Sequence, residues 1–267
     1  MTTGALMFAF DTPGIDYMAM AAWNAQRIRK HLGIPVAVVT NHVGRHQQAF
    51  DRVILCDPQG TDTRYFEDLD RTVTWHNAGR PEAWDLTPWD RTLLLDTDYV
   101  IDSAELAWPL DQTSSDILAF RQATDITGMT HTKELNRFGR YHMPMWWATV
   151  VIFNRSTTAR WVFDSMKMVR NNWQHYRDLY GIDRKTYRND HALTIALGIL
   201  DGHTDSVRAI PWTMSTVMPG HLLTKDGDYF RAEWCNQSGK RDYVLWHRMD
   251  FHAMGKAHLQ RIIDASY

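Results

Sequence analysis

The segment of this chain best suited to chemistry is Arg91-Thr92-Leu93-Leu94-Leu95-Asp96-Thr97-Asp98, where a short apolar run ends in two carboxylates one residue apart. The run reads as a buried strand, and in open parallel sheets ligands bind at the C-terminal edge of the strands. Residues i and i+2 of an extended chain point the same way. Asp96 and Asp98 are therefore expected to face one site if the chain stays extended. Two converging carboxylates repel, and they make sense around a hard divalent cation, Mg²⁺ or Mn²⁺. Such a cation can bridge two phosphates and neutralise a departing diphosphate. Other common chemistries lack their signatures. There is no GxxxxGK[ST] loop, no GxGxxG, no HExxH and no nucleophile elbow.

The elements that must position this pair follow from apolar periodicity. An apolar run over 5–10 predicts a first strand. Met18, Ala21, Ala22, Ala25, Ile28 and Leu32 form one face of a helix, capped by Asp16 and stopped by Gly33 and Pro35. Strands are expected over 36–40 and 52–57, so the chain opens as a βαβ unit with a parallel sheet. Residues 58–80 look irregular, and 82–86 is a helical turn ended by Thr87-Pro88. After the acidic pair, 99–101 reads as a short extension. Strands are expected over 116–120 and 149–153, with a long loop over 121–144 between them. A helix capped by Ser156 follows, with Val162, Met166, Val169, Trp173 and Tyr176 inward. Further helices are expected over 190–200 and 257–263, and a strand over 243–246. The fold class is α/β, a single domain over 1–267 with a mainly parallel central sheet flanked by helices and a Rossmann-like N-terminal half.

Composition narrows the partners. Of 267 residues, 44% are hydrophobic and 22% charged, enough apolar mass for one sizeable core. The formal net charge of −2 provides no global pull toward nucleic acid or an anionic membrane. Most of the 12 tryptophans are expected to pack rather than to stack on ligands. Cys56 and Cys235 form no CxxC pair; Cys56 is expected to be a buried free thiol in a reducing compartment. The first apolar stretch ends at Asp11 and reads as a strand, not a signal peptide. The apolar run over 143–153 is too short to span a bilayer. The expectation is a cytoplasmic protein with no membrane partner.

The stretch Arg80-Pro81-Glu82-Ala83-Trp84-Asp85-Leu86-Thr87-Pro88-Trp89-Asp90 leading into Asp96-Thr97-Asp98 resembles the approach to the DxD motif of family 8 glycosyltransferases of the glycogenin type. Phe10-Asp11-Thr12 with Tyr17 looks like that family's nucleotide-binding first loop. Asn189-Asp190-His191 resembles its acidic motif at a helix start, with His191 replacing a Gln. The end segment carries His247, His252, Gly255 and Lys256, similar to the family's closing His, Gly and Lys, without the Pro-Trp that follows there. Trp147 to Phe153 occupies the place of the family's acceptor strand, with Ala148 and Thr149 in place of a small polar pair.

The resemblance implies a GT-A fold, with 1–102 as nucleotide-binding half and 103–267 as acceptor-binding and closing half. It implies metal-dependent transfer of a sugar from a nucleoside-diphosphate sugar to an acceptor hydroxyl, with retention of configuration. Mn²⁺ or Mg²⁺ would be held by Asp96, Asp98 and His247, with His252 as the alternative. Arg80, in place of the family's Lys, and Lys256 would meet the diphosphate, and Asp190 would serve the reacting sugar. Asp11, Thr12, Tyr17 and Thr97 complete the expected donor contacts. The acceptor is open among a glycan, a protein, a small molecule and a modified DNA base, the last because the 121–144 loop is rich in Arg and His. Two other readings stay open. Leu94 to Val100 also fits part of the DxDx[TV] signature of haloacid-dehalogenase-type phosphatases, and the chain could bind a sugar nucleotide without turning it over.

Overall fold

In the computed structural model, the N-terminal segment forms the strand–helix–strand unit that its pattern predicts. The structure describes residues 1–44, 46–58, 62–66, 70–131, 135–183, 185–204, 207–236 and 238–266. Strand β1 (Thr3–Phe8) leads through helix α1 (Tyr17–Leu32) to β2 (Val36–Thr40) and β3 (Arg52–Leu55). Asp16 caps α1 by accepting from the Ala19 amide at 2.7 Å, which satisfies a donor the helix leaves unpaired. Gly33 ends the helix in the left-handed conformation, at φ 66°, which a side chain would resist.

The segment read as irregular contains a hairpin, β4 (Asp62–Phe66) with β5 (Arg71–Trp75). In β5, Val73 and Trp75 alternate with Thr72 and Thr74, a short β-branched and aromatic run that the sequence reading passed over. A 3-10 turn over Asn77–Glu82 and the short helix α2 (Ala83–Leu86) then lead into β6 (Arg91–Leu95). β7 (Tyr99–Val100), α3 (Ala107–Asp111), β8 (Ile117–Phe120) and β9 (Ala123–Asp125) follow. The expected 121–144 loop thus carries β9 and a small hairpin of β10 (Arg137–Phe138) and β11 (Met143–Pro144); residues 132–134 of it lie outside the described residues.

Strand β12 (Trp147–Asn154) precedes α4 (Thr157–Asn171), capped by the Ser156 hydroxyl. The helix expected to run on through Tyr176 breaks at Asn172, and α5 (Trp173–Leu179) takes over. Then come α6 (Asn189–Asp201), β13 (Ala209–Ile210) and β14 (Met214–Val217). An antiparallel ribbon of β15 (Leu222–Asp226), β16 (Tyr229–Cys235) and β17 (Arg241–Trp246) precedes β18 (Phe251–Ala253) and α7 (Lys256–Asp264).

The central sheet has seven strands in the order β13-β8-β12-β6-β1-β2-β3. Its pairings are parallel except at β12, which runs antiparallel to both β6 and β8. The fold class is therefore as expected, a mixed α/β chain with a mainly parallel central sheet flanked by helices. β2 and β6 are buried along their whole length, which matches their near-continuous apolar runs. A second sheet, β7-β18-β14-β9, takes up the chain where it leaves β6 and β8. Residues 99–101 therefore do not extend β6. They leave its sheet because Asp96 to Tyr99 forms a turn, with the Tyr99 amide donating to the Asp96 carbonyl at 3.1 Å. Cys56 is half-buried rather than buried, Cys235 is exposed, and both are free thiols. No helix among the described residues is long and apolar enough to cross a membrane.

At the N-terminal end of β6, Arg91 is fully buried. Its Nε donates to the Leu110 carbonyl at 2.6 Å and its Nη1 to Asn154 Oδ1 at 2.6 Å and the Ser115 carbonyl at 3.2 Å. Its Nη2 donates to the Pro109 and Gln112 carbonyls at 2.7 and 3.1 Å. One guanidinium thus satisfies the end of α3 and the turn into β8, tying both to β6 and β12. Arg91→Ala would strand these acceptors in the interior. It is expected to lower the unfolding free energy by about 3 kcal/mol, read from urea denaturation.

Candidate active site

β6 ends inside a cavity of about 480 Å³. Its wall includes Phe8, Phe10 and Tyr17 from β1 and the start of α1, and Thr63 and His76 from the segment before β6. Asp96, Thr97 and Asp98 line it, as do Ala148 and Thr149 of β12 and residues 185–190 leading into α6. His252, Met254 and Lys256 close it from the C-terminal segment. The cavity thus lies at the C-terminal end of β6, where the acidic pair stands.

Asp96 and Asp98 converge although the chain between them turns rather than staying extended. With His252 they form a group whose ligating atoms all lie within 4.8 Å of one another. The strand register explains the third member. β18 pairs with β7 so that His252 lies opposite Tyr99, and the Ala253 amide donates to the Asp98 carbonyl at 2.9 Å. This sets His252 Nε2 at 3.5 Å from Asp98 Oδ2. Among the described residues His252 Nδ1 has no hydrogen-bond partner, and the Nε2 side of the ring faces Asp98.

The expectation for His247 is corrected by the fold. It follows β17, a strand of the outer antiparallel ribbon, and is exposed with its ring 4.7 Å from that of Tyr229. A strand does precede it, but that strand belongs to a different sheet from the one that reaches Asp98.

Arg80 also differs from its expected role. It does not line the cavity and is only 1% exposed. Its Nη1 donates to Asp96 Oδ1 at 2.6 Å, and its Nη2 to the Thr149 and Leu94 carbonyls at 3.1 and 3.4 Å. The 3-10 turn before α2 points it inward, behind the carboxylate it holds. It is a positioning residue, not one that meets a ligand. Burial pushes the Asp96 carboxyl up; Arg80 offsets part of this and the neighbouring Asp98 adds to it, so it stays above the usual carboxylate range. Burial acts on Asp98 in the same direction, but Lys256 and His252 outweigh it and hold this carboxyl well below that range. The Lys256 ammonium donates directly to Asp98 Oδ2.

Asp190 lines the cavity in the first turn of α6, where the helix N-terminus favours a carboxylate. Its Oδ1 accepts from the Ala148 amide at 2.9 Å and its Oδ2 from Arg188 Nη2 at 2.7 Å. Burial would raise its pKa, but Arg188, the Ala148 amide and His191 bring it below the usual value. His191 itself packs away from the cavity, its ring stacked 4.7 Å from Phe138 and 6.1 Å from Trp173. It joins the β10–β11 hairpin to α5 and α6.

Tyr17 and Thr97 line the cavity as expected, whereas Asp11 and Thr12 do not. Asp11 spends one oxygen on the Met18 amide at 3.0 Å and lies 3.4 Å from His42. Thr12 is buried in a tight turn, its backbone paired with that of Ile15. Both serve the entry to α1. The sequence reading missed Phe8, His76 and Arg188. Phe8 and Phe10, two apart at the end of β1, carried a readable signal, since alternate residues share a face; Arg188 carried none.

The donor set fits a divalent cation. Two carboxylates and an imidazole gathered within 4.8 Å could hold Mn²⁺ or Mg²⁺. With pyrophosphate present, His252→Ala is expected to weaken Mn²⁺ binding at least about tenfold, with His247→Ala unchanged, by titration followed through the Mn²⁺ resonance signal. Equal losses in both variants would contradict this ligand set.

No protein-family model and no curated protein matches the chain. Solved structures do. The glycosyltransferase GlyE of Streptococcus pneumoniae TIGR4 is 13% identical over 79% of this chain and 46% of its own, with a TM-score of 0.43. The chain thus spans less than half the length of GlyE. The galactosyltransferase LgtC, solved in complex with donor and acceptor sugar analogs, is 14% identical over 73% of this chain and 70% of its own, with a TM-score of 0.49. Mouse xyloside xylosyltransferase 1 is 12% identical over 82% of this chain and 88% of its own, with a TM-score of 0.47.

Proposed function

We propose that the chain is a metal-dependent glycosyltransferase that moves a sugar from a nucleoside diphosphate to an acceptor hydroxyl. The observation that carries this reading is the convergence of Asp96, Asp98 and His252 beside Lys256, at the C-terminal end of β6, in one cavity. The aromatic end, Phe8, Phe10 and Tyr17, is where a base would stack. Lys256 and the acidic group lie where a diphosphate would follow, and Asp190 with Arg188 lies on the side left for the sugar. A Mn²⁺ or Mg²⁺ ion held by Asp96, Asp98 and His252 would supply Lewis-acid charge on the departing diphosphate.

The chain's own residues do the rest. Arg80 offsets part of the burial cost of ionising Asp96 and holds that carboxylate in place. Lys256 adds positive charge where negative charge develops, and its burial strengthens that charge's effect. Asp190, fixed by two donors, would orient the sugar hydroxyls or favour positive character at the anomeric carbon. Retention of configuration follows from the motif resemblance, and Ala148 and Thr149 would replace the polar pair near the acceptor. In this scheme residues 1–102 bind the nucleotide, and 103–267 supply the acceptor side and the closing residues His252 and Lys256.

A panel of sugar nucleotides in thermal unfolding, with and without Mn²⁺, tests the reading. One donor is expected to raise the melting temperature only when metal is present, and Asp96→Asn should abolish that shift. A folded protein that no donor stabilises under any metal condition would refute the proposal.

A further inference from the structure

Each carboxylate in the cavity already has a cation of its own. Arg80 holds Asp96, Arg188 holds Asp190, and Lys256 holds Asp98. The Arg80 pair is fixed, since its guanidinium also donates to two backbone carbonyls. The Lys256 pair is built differently. Lys256 is the first residue of α7 and lines the cavity, and its ammonium reaches Asp98 Oδ2, the oxygen that His252 Nε2 also faces. The lysine therefore sits on an oxygen of the very group that would ligate a cation.

We propose that Lys256 is an internal counterion that keeps the cation site shut until a diphosphate draws it away. This rests on reading Asp96, Asp98 and His252 as that site. An ammonium and a divalent ion on one carboxylate repel with twice the energy of two unit charges at the same distance. An ammonium on a flexible four-carbon stem exchanges one acceptor for another more readily than a planar guanidinium does. A diphosphate offers the lysine a new anionic partner and frees Asp98 for the ion. Ion and diphosphate then raise each other's affinity by one common factor, as linkage requires. The protein takes up little free metal, and it assembles the charged site only around a ligand that carries phosphates.

Thermal unfolding of the wild type and of Lys256→Met, in chelator and in millimolar Mn²⁺ without nucleotide, reads this directly. In chelator the variant leaves Asp98 buried without its cation and should melt below wild type. Mn²⁺ alone should then raise the variant by at least about 5 °C and the wild type by less than about 1 °C, a gap well beyond that of a weak contact. Wild type should gain only when inorganic pyrophosphate accompanies the metal. Should Lys256→Met not fold, Lys256→Gln, which keeps a hydrogen bond to Asp98, decides by the same comparison. Equal stabilisation of wild type and variant by Mn²⁺ alone would overturn the counterion role and leave the cation site standing. No stabilisation of either would overturn both, with donor binding still judged by the sugar-nucleotide panel.

Discussion

Two carboxylates at the end of one buried strand repel each other, and the surrounding fold is arranged to hold them together. In a low-dielectric setting that repulsion is several times what it is in water. Arg80 from below and Lys256 from the side supply the compensating charge, and each comes from a different part of the chain. The two carboxylates are not equivalent as a result. Asp96 is the harder to ionise and the more open to the cavity, while Asp98 is held ionised by its lysine and histidine.

The C-terminal residues reach this pair because β18 is pinned against β7. Asp250, just before β18, accepts from the Asp102 and Ser103 amides, both at 2.7 Å, and burial pushes its carboxyl up to about 7. Asp102 in turn accepts from the Arg248 amide at 2.7 Å and pairs with Arg27 of α1. These bonds fix the register that sets His252 beside Asp98. α7 then packs on α1 and β15, so the residue that opens it, Lys256, is delivered to the same place. The second sheet thus acts as the clamp that closes the site left open by the first.

Much of this was legible in the residues themselves. The βαβ opening, the Asp16 and Ser156 caps, the Gly33 stop and the strand that carries Asp96 all follow from local pattern, and local pattern is what those elements obey. Asp190 was legible through its motif at a helix start. The choice between His247 and His252 was not, because it depends on cross-strand register between β7 and β18, which lie far apart in sequence. Nor was the burial of Arg80, which depends on a 3-10 turn presenting it to carbonyls of β6 and β12. Asp11 and Thr12 sat in the right neighbourhood, but Asp11 is turned to the Met18 amide and His42, and Thr12 is buried in the turn into α1. The hairpin of β4 and β5 is announced only by a short β-branched and aromatic run around Val73 and Trp75, too brief to fix its partner.

The central claim is that Asp96, Asp98 and His252 act together on one cation. Anomalous diffraction from crystals grown with Mn²⁺ and a nucleoside diphosphate measures this most directly. The account predicts a single strong peak bonded to both carboxylates and to His252 Nε2, with Lys256 turned from Asp98 toward the phosphates. A nucleotide bound in the cavity with no metal peak between those side chains, or a peak ligated by His247, would contradict it.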